Sequence, residues 1–420
     1  MKTTFFVIFL TISAYFGYAQ EVLTIEDCRR MAVENSPLQA RKGYAEQTST
    51  LQNESLQRNN LPRIGANAQA SWQSDVFKLP VDNPAFAAPD IPKDQYKITL
   101  DVSQRLWDGG YDNLTAQQHV LNSALSAAQT DVDVFGLRET VTDLFFSILL
   151  LQESEQIILS GQKTLEQRLK QSEAQVEQGV ALRTSADQVR IQIRQNEQQL
   201  ASNRIDQQTL KQVLGAWIGK PDGFFTLQTT NAPAVLVEAP AVRPEYALLD
   251  VQKKLIDLQN DALGLRLQPR VEAFAQGGLG RPNPLNFFET DFQPFAMLGV
   301  RAAWTPVDWG NSKRQQQVLS LQALSLDTQR AALDQRMAAS NLKDRGNAAK
   351  ASALLQQDDA IIALQEDIVL RADAQVQNGV MTTTDYLAQV NLLTQARLTR
   401  KTHEIQALQA IEMYKARNGQ

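Results

Sequence analysis

Few residues of this 420-residue chain have the type to do covalent chemistry, and none stands beside the partner such chemistry needs. His119 and His403 are the only histidines, and Cys28 is the only cysteine. The histidines lie far apart, and neither has a second ligand at metal-binding spacing, so each reads as a surface or wall position. No nucleophile–base pair and no phosphate loop occurs, so an enzyme is not expected, nor a metal or a cofactor. A single cysteine excludes an intramolecular disulfide. Cys28 follows Ile25-Glu26-Asp27, not the small apolar residues that precede a lipid-modified cysteine, and reads as buried on a helix face. The acid of most interest is Asp385. It follows Gly379 closely and stands three residues after Thr382, the spacing of a capping box, in which side chains and backbone N–H groups satisfy one another at a helix start.

These residues sit in a frame that occurs twice. Leu106-Trp107-Asp108-Gly109-Gly110 is answered by Pro306-Val307-Asp308-Trp309-Gly310, with Asp308 and Gly310 displaced equally from Asp108 and Gly110. Each junction is preceded by an alternating stretch that reads as a strand and followed by a long polar heptad-like stretch that reads as a helix. Asp108 and Asp308 can cap the helices, and the glycines let the backbone turn into them.

Composition narrows the class. Charged residues are 21%, the net charge is −5, and no basic cluster stands out, so nucleic acid is not an expected partner. Aromatics at 7% suit helix–helix packing better than a thick globular core. Residues 1–19 read as an export signal: Lys2, an apolar run from Phe5 to Phe16, then Gly17-Tyr18-Ala19 as a cleavage site, with the mature chain starting at Gln20. No later stretch has the ~18 apolar residues of a membrane helix. Val141–Leu151 is too short, contains Thr142, Asp143 and Ser147, and reads as a helix core face.

In chain order, a short helix starts at Thr24, with Asp27 in capping-box position. A second starts at Ser36-Pro37, runs to about Asn60 and ends at Pro62. Period-two alternation places strands at about 63–73 and 96–107, separated by a loop over 74–95. A helical hairpin follows over 111–218: one unbroken helix to Gln178, a tip at Gly179-Val180, and a return from Thr184 with Asp187 as its capping acid. Residues 219–242 read as a linker. The same order recurs over 243–420: a helix from Arg243-Pro244, a break at Pro269, strands at about 270–279 and 295–305, and a hairpin over 312–418 with its tip at Gly379-Val380. The matching landmarks indicate an internal duplication, residues 20–242 against 243–420. One segment departs from it. Asp344-Arg345-Gly346-Asn347 stands where the first half has Leu144-Phe145-Phe146-Ser147, and Gly346 is a candidate bend.

Four strands, each with one apolar and one polar face, cannot close a membrane barrel, and open edges in lipid would leave backbone groups unpaired. A small soluble sheet packed on the helices is one solution. Self-association into a closed barrel, continued by the helices as a tube, is the other. The export signal, strands of membrane-spanning length and helices too polar to cover a sheet favour the second.

The Thr24–Cys28 opening, the Leu61-Pro62-Arg63-Ile64 step, the Trp107–Gly110 step and the two Gly-Val tips, in this order and duplicated, resemble the TolC-like family of outer-membrane efflux channels. The fold this implies is mainly α with a small β part: duplicated long antiparallel coiled-coil hairpins, plus four strands per chain that complete a trimeric twelve-stranded barrel. The resemblance further implies a homotrimer in outer-membrane lipid, a helical tunnel in the periplasm, and docking to a periplasmic adaptor protein joined to an inner-membrane pump. It makes Asp385 an acid of the periplasmic aperture, with Ser185 as its counterpart in the first hairpin. Gly179, Val180, Gly379 and Val380 become adaptor contacts. The junction residues are Pro62, Asp108, Gly110, Pro269, Asp308 and Gly310. A family aperture acid is replaced by Ala388. The implied function is a passive exit duct for drugs or other small molecules. The exit duct of a type I protein-secretion system is an alternative of the same fold, and a soluble periplasmic coiled-coil adaptor or scaffold is one of another class.

Overall fold

The computed structural model describes residues 21–77, 90–228, 241–286 and 288–420; the expected export signal and parts of the first strand loop and the linker lie outside them. The elements follow in order as β1 (Glu21–Leu23), α1 (Ile25–Glu34), α2 (Ala40–Arg58), β2 (Arg63–Trp72), β3 (Asp94–Trp107), α3 (Tyr111–Phe135), α4 (Leu137–Glu177) and α5 (Arg183–Ile218). Then come β4 (Phe225–Leu227), α6 (Pro244–Leu265), β5 (Arg270–Arg281), β6 (Gln293–Ala303), α7 (Asn311–Gln377) and α8 (Thr383–Asn418).

Local chemistry explains most boundaries. Thr24 caps α1: its hydroxyl accepts from the Asp27 N–H at 3.3 Å, and the Asp27 carboxylate accepts from the Thr24 N–H at 3.2 Å. Ser36-Pro37 does not open an α-helix. Pro37–Gln39 form a tighter 3-10 turn, and α2 begins at Ala40 with no side-chain cap. The helix expected to run unbroken from 111 is interrupted at Gly136, which separates α3 from α4. Gly136 itself keeps right-handed helical angles, φ −59° and ψ −24°, so the interruption is slight. Gly346 produces no such break, and α7 is continuous through it for 67 residues. Asp187 does not cap α5, whose N-cap is Leu182 with no side-chain bond. It pairs instead with Arg190 at 2.6 Å, and Arg190 reaches Glu173 of α4 at 2.7 Å.

The chain divides into two compact units that cut across the sequence halves. Among the described residues, one unit comprises 21–36, 134–228, 241–242 and 337–420, and the other 37–77, 90–133, 243–286 and 288–336. In the first, β1 and β4 pair in parallel beside α1 and α4. Their core gathers Leu23, Ile25, Cys28, Val141, Phe145, Ile148, Leu214, Ile218 and Phe225, which shows Val141–Leu151 to be a helix core face. Burial lifts the Cys28 thiol to about 12, so it stays protonated and inert. Arg29 is buried there with each of its three side-chain nitrogens bonded. Its Nη1 reaches Glu412 Oε2 at 3.0 Å, its Nη2 reaches the Glu412 carbonyl at 2.8 Å, and its Nε reaches Thr142 Oγ1 at 3.1 Å.

The second unit is built on one antiparallel sheet in the order β2-β3-β5-β6, two strands from each half of the sequence. β2 and β6 are its edges.

Candidate functional site

The sheet sorts most of its side chains by chemistry. Register places Ile64, Ala66, Ala68 and Ala70 of β2 level with Val102, Leu100, Ile98 and Tyr96 of β3. The same face continues through Ala275, Gly277 and Leu279 of β5 to Leu298, Ala296 and Pro294 of β6. It is uncovered: Ile64 is 71% exposed, Ile98 61% and Leu298 83%. A face this apolar and this open calls for a cover from outside the chain, lipid or protein. The opposite face is mostly polar, with Phe274, Phe295 and Met297 among its members. At its middle, Asp101 accepts from Asn67 Nδ2 at 2.6 Å, from Thr99 Oγ1 at 2.9 Å and from Gln276.

Exposed aromatics mark both ends of the strands. Trp107, Trp304 and Trp309 stand at the junction end, and Trp72, Phe77, Tyr96, Phe288 and Phe292 at the loop end. Aromatic rings at both limits of an apolar band are the pattern of a membrane-spanning strand. Alternation marked the strands in the sequence, but the pairing of strand-end aromatics becomes evident only once the register is known.

The two junctions have one geometry. Asp108 Oδ1 accepts from the Gly110 N–H at 2.9 Å, and its Oδ2 accepts from the Asp112 N–H at 2.6 Å. Asp308 does the same with Gly310 at 3.0 Å and Ser312 at 2.7 Å. Burial pushes the Asp108 carboxyl up, but the N–H groups of Asp112 and Gly110 and the nearby Arg105 hold it below its ordinary value. Hydrogen bonds from Ser312, side chain and backbone, hold the Asp308 carboxyl low as well. Gly109 and Gly110 have φ of 72° and 89°; Trp309 and Gly310 have 54° and 74°. Pro62 and Pro269 each lie immediately before the first residue of β2 and β5, beyond the ends of α2 and α6.

The hairpin tips are likewise a pair. Gly179 has φ 75° and Gly379 φ 70°. The Val180 N–H donates to the Gln175 carbonyl at 2.9 Å, and the Val380 N–H to the Gln375 carbonyl at 2.8 Å. These bonds close each helix by the Schellman pattern. Val180 and Val380 project into solvent at 72% and 77% exposure. Beyond the tips the symmetry ends. Thr382 caps α8: its oxygen accepts from the Asp385 N–H at 3.1 Å, and its hydroxyl donates to Asp385 Oδ2 at 2.7 Å. Asp385 is exposed, as is Ala388. Ser185 is half-buried, and its N–H donates to the Leu182 carbonyl at 3.0 Å.

His403 does not stand free. Its Nδ1 lies 2.5 Å from Asp358 Oδ2, a buried carboxylate. No described helix is long and apolar enough to cross a membrane.

Residues 32–220 match the model of the family described as outer membrane efflux protein. Solved structures with the same fold include the outer membrane protein VceC from Vibrio cholerae. It is 13% identical, with a TM-score of 0.65 over 94% of this chain and 96% of that one. The Campylobacter jejuni CmeC outer membrane channel is 13% identical, with a TM-score of 0.63 over 94% and 85%. The open state of the Neisseria gonorrhoeae MtrE outer membrane channel is 15% identical, with a TM-score of 0.61 over 94% and 88%. Comparison with curated protein sequences finds no match. Residues 32–220 thus carry the outer membrane efflux protein family match, and nearly the whole chain has the fold of these outer-membrane channels.

Proposed function

We propose that this protein is the passive exit duct of a tripartite efflux pump for drugs or other small molecules. The observation that carries the reading is the four-stranded sheet with an uncovered apolar face, a polar face and two open edges. In lipid each unpaired edge N–H or C=O is destabilising by several kcal/mol, so the edges must pair with further copies. All four strands alternate in direction, so β6 of one copy meets β2 of the next antiparallel, and three copies close a ring with the apolar face outward. The hairpins then form the periplasmic tunnel. Gly179-Val180 and Gly379-Val380 present exposed side chains to a periplasmic adaptor, and Asp385 lines the aperture.

Asp385 has two roles that one substitution separates. Asp385→Asn keeps an acceptor for the Thr382 hydroxyl and removes the charge. It should raise ion leak through the closed channel and weaken its cation preference in planar bilayers; unchanged leak and preference would remove Asp385 from the aperture.

Deletion of the gene in its host tests the function itself. Increased susceptibility to small toxic compounds, restored by the intact gene, is the expected result. Loss of a secreted protein with unchanged susceptibility would assign the duct to protein secretion, and no change in either would reject both.

A further inference from the structure

Charge is concentrated at one end of the polar face of the sheet. Each strand places one arginine there: Arg63 on β2, Arg105 on β3, Arg270 on β5 and Arg301 on β6. Arg105 lies opposite Glu272, which in turn lies opposite Arg301, and Arg63 lies opposite Ser103. All four arginines line one open cavity of about 320 Å³, together with Asn59 and Glu272.

Only Arg105 is matched. Its Nη1 lies 2.7 Å from Asp112 Oδ1 and 3.8 Å from Asp108 Oδ2. Among the described residues the other three make no ion pair. Arg63 Nη2 donates to the neutral Asn59 Oδ1 at 2.7 Å. The Arg270 guanidinium lies 5.4 Å from the centre of the Tyr111 ring, and that of Arg301 lies 5.2 Å from the centre of the Phe274 ring. A ring beneath a guanidinium holds the plane in place and leaves its N–H edge free. Glu272, the one carboxylate lining the cavity, closes no ion pair with its cross-strand neighbours among the described residues. The cavity therefore holds an excess of positive charge on guanidinium groups, the chemistry that takes carboxylate or phosphate oxygens two at a time.

We propose that this arginine patch is an oxyanion-binding station that favours the passage of small solutes bearing carboxylate or phosphate groups. It lies on the face opposite the apolar one, so its ligand is a solute and not a lipid headgroup. The inference rests on the exit-duct reading, in which the polar face lines the lumen. Three copies would repeat the patch around the barrel at the strand–helix junctions, where low-dielectric walls strengthen its field.

The test compares full-length protein with the triple variant Arg63→Gln/Arg270→Gln/Arg301→Gln. All three side chains are exposed, so the variant should fold, which circular dichroism checks. Calorimetric titration of the detergent-purified proteins with inorganic pyrophosphate at low ionic strength should show binding by the natural chain and a loss of about tenfold or more in the variant. Equal binding, or none by either protein, overturns the proposal. In planar bilayers under a potassium chloride gradient, the variant should shift the reversal potential toward cation preference. Arg194→Gln, an exposed substitution on α5, should not. An unshifted potential overturns the role in passage. Absence of conductance from both proteins would contradict the exit-duct reading, and the titration would still decide the patch.

Discussion

Leu144–Ser147 and Asp344–Asn347 hold corresponding places in the two halves of the chain and are held in place by opposite means. In α4, Phe145 and Phe146 are 1% and 3% exposed and meet edge to face. In α7, Asp344 is 3% exposed and accepts from Arg417 of α8 through both oxygens at 2.8 Å, while Arg417 also reaches Glu139 at 3.1 Å. Burial pushes the Asp344 carboxyl up and outweighs the pull of Arg417. The comparison shows that the two halves repeat the backbone without repeating the buried positions: Phe145 and Phe146 are buried where Arg345 and Gly346 are not, and Asp344 is buried where Leu144 is only half-buried. An aromatic pair contributes through burial, whereas a buried acid is tolerated only while its partner stays.

The largest effect should come from removing that partner. Arg417→Met leaves Asp344 buried without its cation and should destabilise the protein by about 2–4 kcal/mol. Adding Asp344→Leu, the residue of the first half at this place, should recover most of the loss. Thermal unfolding followed by circular dichroism reads both, and a double variant as unstable as the single one would contradict the account.

The junctions can be broken apart in the same way. A Cβ on Gly109 would lie 2.8 Å from the Gln268 Cβ, at a φ of 72°. Gly109→Ala should therefore cost about 1–3 kcal/mol. Trp309 occupies the matching place at φ 54° with its ring 87% exposed. Trp309→Gly should relieve the backbone there and raise stability in detergent, provided the ring has no partner outside the chain. Loss of stability in both variants would show that Trp309 is held by contacts and not merely tolerated.

Acid should act on both junctions alike. The Asp108 and Asp308 carboxyls are held low in the folded chain, so their stabilisation is complete above the ordinary aspartate value near 3.8 and is lost as the pH falls through their folded values. Against Asp108→Asn or Asp308→Asn, the natural chain should lead in melting temperature at neutral pH and lose that lead in acid. A lead that persists at the lowest pH would remove the carboxylate charge from the explanation.

The smallest effects are expected at the tips. Thr382→Ala removes the cap of α8 and should cost about 1 kcal/mol. Leu182→Thr supplies the missing cap to α5 and should add about 0.5–1 kcal/mol. Equal responses of opposite sign would confirm that the tips differ only in this bond.

Much of this was legible in the residues. The junction acids, the Gly-Val tips and the alternating strands are local signals. What the sequence did not disclose is long-range. Nothing local distinguishes Gly136, which interrupts a helix, from Gly346, which lies inside one. The Asp344 segment read only as a polar stretch standing in the place of Leu144–Ser147, because its partner, Arg417, is distant in sequence. The four arginines of the sheet are scattered along the chain, so no basic cluster stood out; register alone brings them to one end of one face. The two-by-two sheet is likewise invisible until β3 and β5 pair across the halves.

The central claim is that the open edges of the sheet are closed by further copies in lipid. Its most direct test is the mass of the protein extracted from outer membranes in mild detergent, corrected for bound detergent. The account predicts three chains per particle that precipitate when detergent is removed. A monomer that stays dispersed in detergent-free buffer would contradict it and leave the four strands as a small sheet of a soluble protein.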